Sequence, residues 1–180
     1  MSKNVVVTGI GIISPLGLDS TSTWNSLIEG KSGVDYVGNF DTEQFETHIA
    51  AEVKNFNPED FLDKKEARRM DRFVQFAAVA TQEALLNANI KLSDENPERV
   101  SVMIGSGIGG ILTLSKEMEV LLERGPSRVN PFLIPMMLGD MASGRVSMLV
   151  GAKGPNFSSI SSCATGADTI AEASALIRKG

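Results

Sequence analysis

The end of the chain limits the fold most sharply. A helix predicted to open at Cys163 carries Ala164, Gly166, Ala167, Ala171, Ala173, Ser174 and Ala175, so it is small-sided nearly all round. Neighbouring layers can approach such a helix closely, which predicts an interior position rather than a surface cover. Only Asp168 and Glu172 mark a polar face, and Arg178 and Lys179 complement the C-terminal dipole. The eight residues before Cys163, Pro155-Asn156-Phe157-Ser158-Ser159-Ile160-Ser161-Ser162, read as a strand that feeds this helix.

The rest of the chain alternates strands and helices. Val5-Val6-Val7 with Ile10, Ile12 and Ile13 reads as a buried β-branched strand ending at Ser14-Pro15. Thr21 or Ser22 is the expected cap of a short helix carrying Trp24, Leu27 and Ile28 and closed by Gly30. Residues 31–56 look irregular, with one extended piece near residues 49–53. Asn57-Pro58-Glu59-Asp60 combines a cap, a first-turn proline and first-turn acids, which predicts a helix start. Phe73, Phe76, Ala77, Ala80, Ala84 and Ala88 then form one apolar face of a single long helix. Residues 100–104 read as a second strand, followed by helices over about 112–122 and 135–150. The order β-α-α-β-α-α-β-α predicts an α/β protein with a mixed or parallel sheet covered by helices.

Composition narrows the function. The 180 residues suit one domain, and a 42% hydrophobic content is ample for a core. A net charge of −5 and a pI near 5.0 argue against nucleic-acid binding. The single cysteine excludes an internal disulfide and predicts a reducing compartment. Gly9, Gly11 and Pro15 break the N-terminal apolar run, so it does not read as a signal peptide. No apolar stretch approaches the ~18–20 residues of a membrane span. A soluble, cytoplasmic protein is expected.

Four features carry chemistry. Cys163, at the head of a helix, would face unpaired N–H groups and the positive end of the dipole, which favour thiolate. The plainer reading of a lone cysteine is a small buried hydrophobe. Ser106-Gly107-Ile108-Gly109-Gly110 lies between a strand and a helix but lacks the lysine and the glycine spacing of a nucleotide loop, so a close-packed turn is expected. Lys65, Arg68, Arg69 and Arg72 fall on one helical face, either a solvated stripe or a dock for an acidic protein or phosphate. His48, the only histidine, reads as a surface residue, and its spacing gives no support for pairing with Cys163.

The ordered set of segments resembles the N-terminal half of the β-ketoacyl-[acyl-carrier-protein] synthases, most closely the type II members, within the thiolase-fold condensing enzymes. The resemblance runs through all 180 residues. Val5-Val6-Val7-Thr8-Gly9-Ile10-Gly11 is similar to the family's opening strand and Phe40-Asp41-Thr42 to an early loop. The segment from Lys64 to Phe73 resembles the part that meets the carrier protein. Gly105 to Gly110 resembles the acyl-pocket loop, Pro131-Phe132-Leu133-Ile134-Pro135 the segment that reaches a dimer partner, and Ser162-Cys163-Ala164-Thr165-Gly166 the nucleophile motif. Ser162 stands where alanine is usual, and Asp140 where asparagine is.

The resemblance implies a thiolase-like layered α-β-α-β-α fold, of which residues 1–180 supply most of the first pseudo-repeat, with the second half absent. It implies Cys163 as the acylated nucleophile, Ile108 and Phe132 in the acyl pocket, and Lys65, Arg68 and Arg69 as the carrier-protein dock. Acyl- and malonyl-loaded acyl carrier protein and a second copy of the chain are the implied partners, with no metal or organic cofactor and no nucleic-acid or membrane partner. The implied reaction is decarboxylative Claisen condensation in fatty-acid elongation. The family's second half supplies two histidines, a lysine and a second oxyanion N–H that are not in these residues. A piece of a longer synthase, inactive in condensation by itself, is therefore expected over a natural short protein. A thiolase, a cysteine hydrolase and a dimerising partner without activity remain the alternatives.

Overall fold

The structure, a computed structural model, describes residues 4–180. Residues 1–3, the start of the segment read as no signal peptide, lie outside the described residues. Seven helices are described: α1 (Ser20–Ile28), α2 (Lys64–Ala67), α3 (Arg72–Asn87), α4 (Ile111–Arg124), α5 (Leu133–Met137), α6 (Met141–Val150) and α7 (Thr165–Lys179). The strands are short: β1 (Asp35–Tyr36) pairs antiparallel with β2 (Ile49–Ala50), and β3 (Val102–Met103) runs parallel to β4 (Asn156–Phe157).

The core is a helix pair laid on the parallel strands. Val74 and Ala78 of α3 meet Ala142 and Val146 of α6, all of them buried. The two alanines let the helix backbones come close, and the two valines fill the remaining space. Ser143 then pins α6 to the sheet: its hydroxyl donates to the carbonyl oxygens of Val102 (2.6 Å) and Phe157 (3.2 Å). Asn156 Nδ2 returns a bond to the Ser143 carbonyl at 2.9 Å. A fully buried hydroxyl with such partners costs little and fixes the register of helix on sheet.

Five elements depart from the sequence reading. Residues 4–13 join no sheet among the described residues, and Val7 is 80% exposed. Their N–H groups turn to α3 instead: that of Ile10 donates to Asn87 Oδ1 at 3.0 Å and that of Ile12 to Glu83 Oε2 at 2.8 Å. Gly11 makes this approach feasible, because a Cβ there would lie 1.8 Å from the Ala80 carbonyl oxygen. The first helix is capped by Asp19, whose carboxylate accepts the Ser22 N–H, rather than by Thr21 or Ser22.

The single helix expected from residue 57 is three pieces: a one-turn Pro58–Asp60 segment, α2 and α3. Asp63 and Asp71 restart it, each accepting backbone N–H groups as a new N-cap. The helix expected over 135–150 divides into α5 and α6, separated by Leu138-Gly139-Asp140.

The fifth departure is α7. Among its residues only Thr165 and Thr169 are buried, and Ile170 is 68% exposed. One face lies against the end of β3, where Gly105 leaves room for it: a Cβ on Gly105 would meet Thr165 Cγ2 at 2.2 Å. The opposite face is open, so the helix is not interior among the described residues.

Glu83 gathers the N-terminal segment. Besides the Ile12 N–H, its carboxylate accepts the N–H and hydroxyl of Ser20, at 2.7 and 2.6 Å. Partial burial pushes this carboxyl up, as does the nearby Asp19 charge, but the Ser20 and Ile12 hydrogen bonds outweigh both and hold its pKa below the ordinary glutamate value. A lowered folded-state pKa stabilises the fold above the unfolded value, and that contribution disappears as pH falls through the folded one. Glu83→Gln is therefore expected to be less stable than wild type at pH 7, with the gap narrowing as acid titrates the wild-type carboxylate below pH ~4.3. Denaturant midpoints of both proteins between pH 7 and 3 check this; a gap that stays constant or widens in acid contradicts it.

Candidate functional site

The chain turns sharply just before α7. Ser162 has φ +54°, in the left-handed region that few side chains adopt, and residues 162–164 form one tight helical turn leading into Thr165. Thr165 braces this turn by accepting the Ser161 N–H on its hydroxyl at 2.9 Å, while its own carbonyl takes the Thr169 hydroxyl at 2.7 Å. Ser161 also hydrogen-bonds Asp168 on the first turn of α7. The result holds Cys163 at the head of the helix with its thiol side exposed. Cys163 is therefore not buried among the described residues, and the left-handed Ser162 lies immediately before it.

The glycine loop lies alongside. A Cβ on Gly107 would sit 3.5 Å from the Ser162 carbonyl oxygen, so the loop passes directly over the turn. On its other side the Gly110 N–H donates to the Met137 carbonyl at 2.9 Å, and the Gly109 N–H to Ser106 Oγ at 2.9 Å. This is the close-packed turn expected from sequence, wedged between α5 and the cysteine. Ile108 projects from its tip, 75% exposed. Phe132 stands at the opposite end of α5, where it caps the helix start.

The basic residues do not form one stripe. Arg72 leaves it, because its guanidinium packs inward over the rings of Phe56 (4.9 Å) and Phe76 (4.8 Å) and donates to the Phe56 carbonyl at 3.1 Å. Lys65, Arg68 and Arg69 remain together around an open cleft of about 400 Å³, with Asp63 and Lys64 completing its wall. Lys64 is paired to Glu59 at 3.0 Å, but no carboxylate among the described residues lies within 4 Å of the other three. Three unpaired cations in one cleft are a ready site for an acidic surface.

His48 stays apart. It is exposed beside β2, its Nδ1 sits 3.2 Å from Thr42 Oγ1, and no hydrogen bond joins it to Cys163. No group of three or more His, Cys, Asp and Glu side chains among the described residues is arranged to hold a metal.

Sequence reasoning missed two buried carboxylates near this site. Asp71 accepts the N–H and hydroxyl of Thr113 at the start of α4, at 2.8 and 2.6 Å. Glu117 of α4 accepts the Asn130 N–H at 2.7 Å and so fixes the loop before Phe132. Asp71 carried a signal, an acid directly before an apolar helical period. Glu117 carried none, since its partner lies in an irregular segment.

The turn thus presents an exposed cysteine just before α7, with the glycine loop alongside it. Solved ketosynthases share this thiolase-like α/β fold. A ketosynthase bound to a hexaketide, in complex with a type II polyketide synthase acyl-carrier protein, superposes with a TM-score of 0.82 at 22% identity, covering 97% of this chain and 46% of that one. A β-ketoacyl synthase from Burkholderia phymatum superposes with a TM-score of 0.81 at 26% identity, over 100% of this chain and 44% of the other.

The family model "Beta-ketoacyl synthase, N-terminal domain" matches residues 2–180, and the chain belongs to that family. It is 48% identical over 179 residues to a 3-oxoacyl-[acyl-carrier-protein] synthase 2 of Staphylococcus aureus, and 43% identical over 178 residues to one of Synechocystis. Each match takes in 99% of this chain and 43% of the relative, so the chain spans less than half the length of these curated relatives.

Proposed function

We propose that the protein extends acyl chains by decarboxylative condensation in fatty-acid synthesis. The observation that carries this reading is Cys163 itself, exposed on its braced turn under the glycine loop in a chain of this family. The Cys163 thiolate attacks the thioester of an acyl carrier protein, the C–S bond to the carrier breaks, and the carrier thiol leaves with the proton. Malonyl carrier protein then loses CO₂, and its carbanion attacks the Cys163 thioester, expelling the thiolate and forming a 3-ketoacyl chain two carbons longer. The Cys163 N–H donates to the oxyanion. Enolate stabilisation during decarboxylation needs further donors, and His48 is not positioned to provide them. The residues of this chain account for acylation; condensation draws on histidines elsewhere in the synthase.

Residues 1–180 serve in this reading as the N-terminal part of a thiolase-like domain, cytoplasmic and without a metal or organic cofactor. No helix among the described residues is long and apolar enough to cross a membrane. Ile108 and Phe132 line the acyl pocket. A second copy pairs along the outer edge of β4, which has no strand partner among the described residues and carries the half-exposed Phe157. Lys65, Arg68 and Arg69 dock the acidic carrier protein.

Charge reversal tests the reading. Exposed charges of this kind govern encounter rate and salt dependence. Lys65→Glu, Arg68→Glu and Arg69→Glu together are expected to raise the apparent KM for carrier-bound acyl thioester by roughly tenfold or more, with a small soluble thioester little affected. Equal losses on both substrates would make the cleft structural and refute the docking assignment.

A further inference from the structure

Arg69 belongs to two places at once. It lines the basic cleft beside Lys65 and Arg68, yet its guanidinium carbon lies 4.8 Å from the centroid of the Phe132 ring. The backbone that carries the ring is fixed by the loop that precedes it. Buried Glu117 accepts the Asn130 N–H at 2.7 Å, and Asn130 Oδ1 accepts the Phe132 N–H at 2.9 Å. Phe132 is thus seated between an α4-anchored backbone and one cation, with 38% of its surface exposed. The cation is the only one of these supports that also faces the cleft.

We propose that Arg69 is a positioning residue coupling the carrier-protein dock to the acyl pocket: its guanidinium sets the Phe132 ring, and an acidic side chain of the carrier competes for it. This rests on the assignment of dock and pocket given above. A planar guanidinium stacks on a ring and also takes a carboxylate in bidentate fashion, but the two demands orient it differently. The charge-assisted pair is the stronger of the two. Carrier docking therefore draws Arg69 from the ring and releases Phe132 as the acyl chain arrives. Lys65 and Arg68 lack this second contact, so their charge acts on docking alone.

The test is a double-mutant cycle in the protein expressed from its native gene, read as acylation of Cys163 by short- and long-chain acyl carrier proteins. Arg69→Lys keeps the positive charge and removes the planar face; Phe132→Leu removes the ring. Each single substitution is expected to change the ratio of long- to short-chain kcat/KM by roughly two- to fivefold, the size of an exposed cation–ring contact. The double variant should match either single one. Multiplying effects, or an Arg69→Lys loss that is equal for all chain lengths, would overturn the coupling.

A fluorinated ring at Phe132 gives a readout independent of turnover. Its ¹⁹F resonance should shift when carrier protein is added to wild type and stay fixed in Arg69→Lys; an unmoved wild-type resonance at saturating carrier overturns the proposal. Lys65→Glu with Arg68→Glu separates the two ideas. If that pair leaves carrier KM untouched, the docking assignment fails, whereas a non-additive 69–132 cycle would still stand.

Discussion

Replacing Cys163 by alanine is expected to abolish acyl transfer from acyl carrier protein, a loss of at least about a thousandfold. The sulfur is the only thiol in the chain, so no neighbouring residue can substitute for it. Its position at the head of α7 depends on the left-handed Ser162 and on the Thr165 hydroxyl that holds the Ser161 N–H. Neither support involves the thiol, so Cys163→Ala should fold normally and fail only in chemistry. Incubation with an acyl carrier thioester, followed by peptide mapping by mass spectrometry, should find the acyl adduct on wild type alone. An adduct on the alanine variant, or none on wild type, would remove Cys163 from the reaction. Continuous release of free acid by wild type would instead mark a hydrolase.

The same 180 residues are expected to give acylation without condensation. Their one imidazole is held against Thr42 in the β1–β2 region and makes no hydrogen bond to Cys163. Release of labelled CO₂ from malonyl carrier protein by this polypeptide would show that decarboxylation needs no histidine beside the thioester.

The place of the cysteine just before a helix was legible because its signal is local: a strand pattern, one thiol and a small-sided helix in direct succession. The cap of α3 was equally local in Asp71, but acids at 63 and 71 look like ordinary solvated positions when Asn57-Pro58 has already suggested a helix start. The structure uses both as fresh caps, and that bends the basic face so that Arg72 turns inward to Phe56 and Phe76. The N-terminal segment failed as a strand for the opposite reason. Its β-branched residues have the right propensity, but strand pairing is a property of the partner, and its N–H groups bond to Glu83 and Asn87. The Arg69–Phe132 contact joins segments whose spacing holds no periodic relation, so only coordinates bring it into view.

The largest loss of stability from a single polar substitution is expected at Asp71. Its side chain is buried and serves two helices: Oδ1 accepts the Phe73 N–H at 3.3 Å and caps α3, while Oδ2 accepts the Thr113 N–H at 2.8 Å and hydroxyl at 2.6 Å. The start of α4 has no side-chain cap of its own, since Gly110 stands at that position. Asp71→Ala removes a cap worth about 1 kcal/mol. It also strands the buried Thr113 N–H and hydroxyl, at about 1–3 kcal/mol. A total near 3 kcal/mol is a large part of the ~5–15 kcal/mol that holds a typical domain together. Asp71→Asn keeps an acceptor of the same shape and should cost about half as much, and Thr113→Val, which removes only the hydroxyl, less again. Because the two residues share their bonds, the Asp71→Ala/Thr113→Val double variant should be more stable than the sum of the singles predicts. Denaturant unfolding of the four variants supplies the cycle. If Asp71→Ala costs less than about 1 kcal/mol, or if the double variant is additive, the carboxylate does not join α3 to α4 in solution.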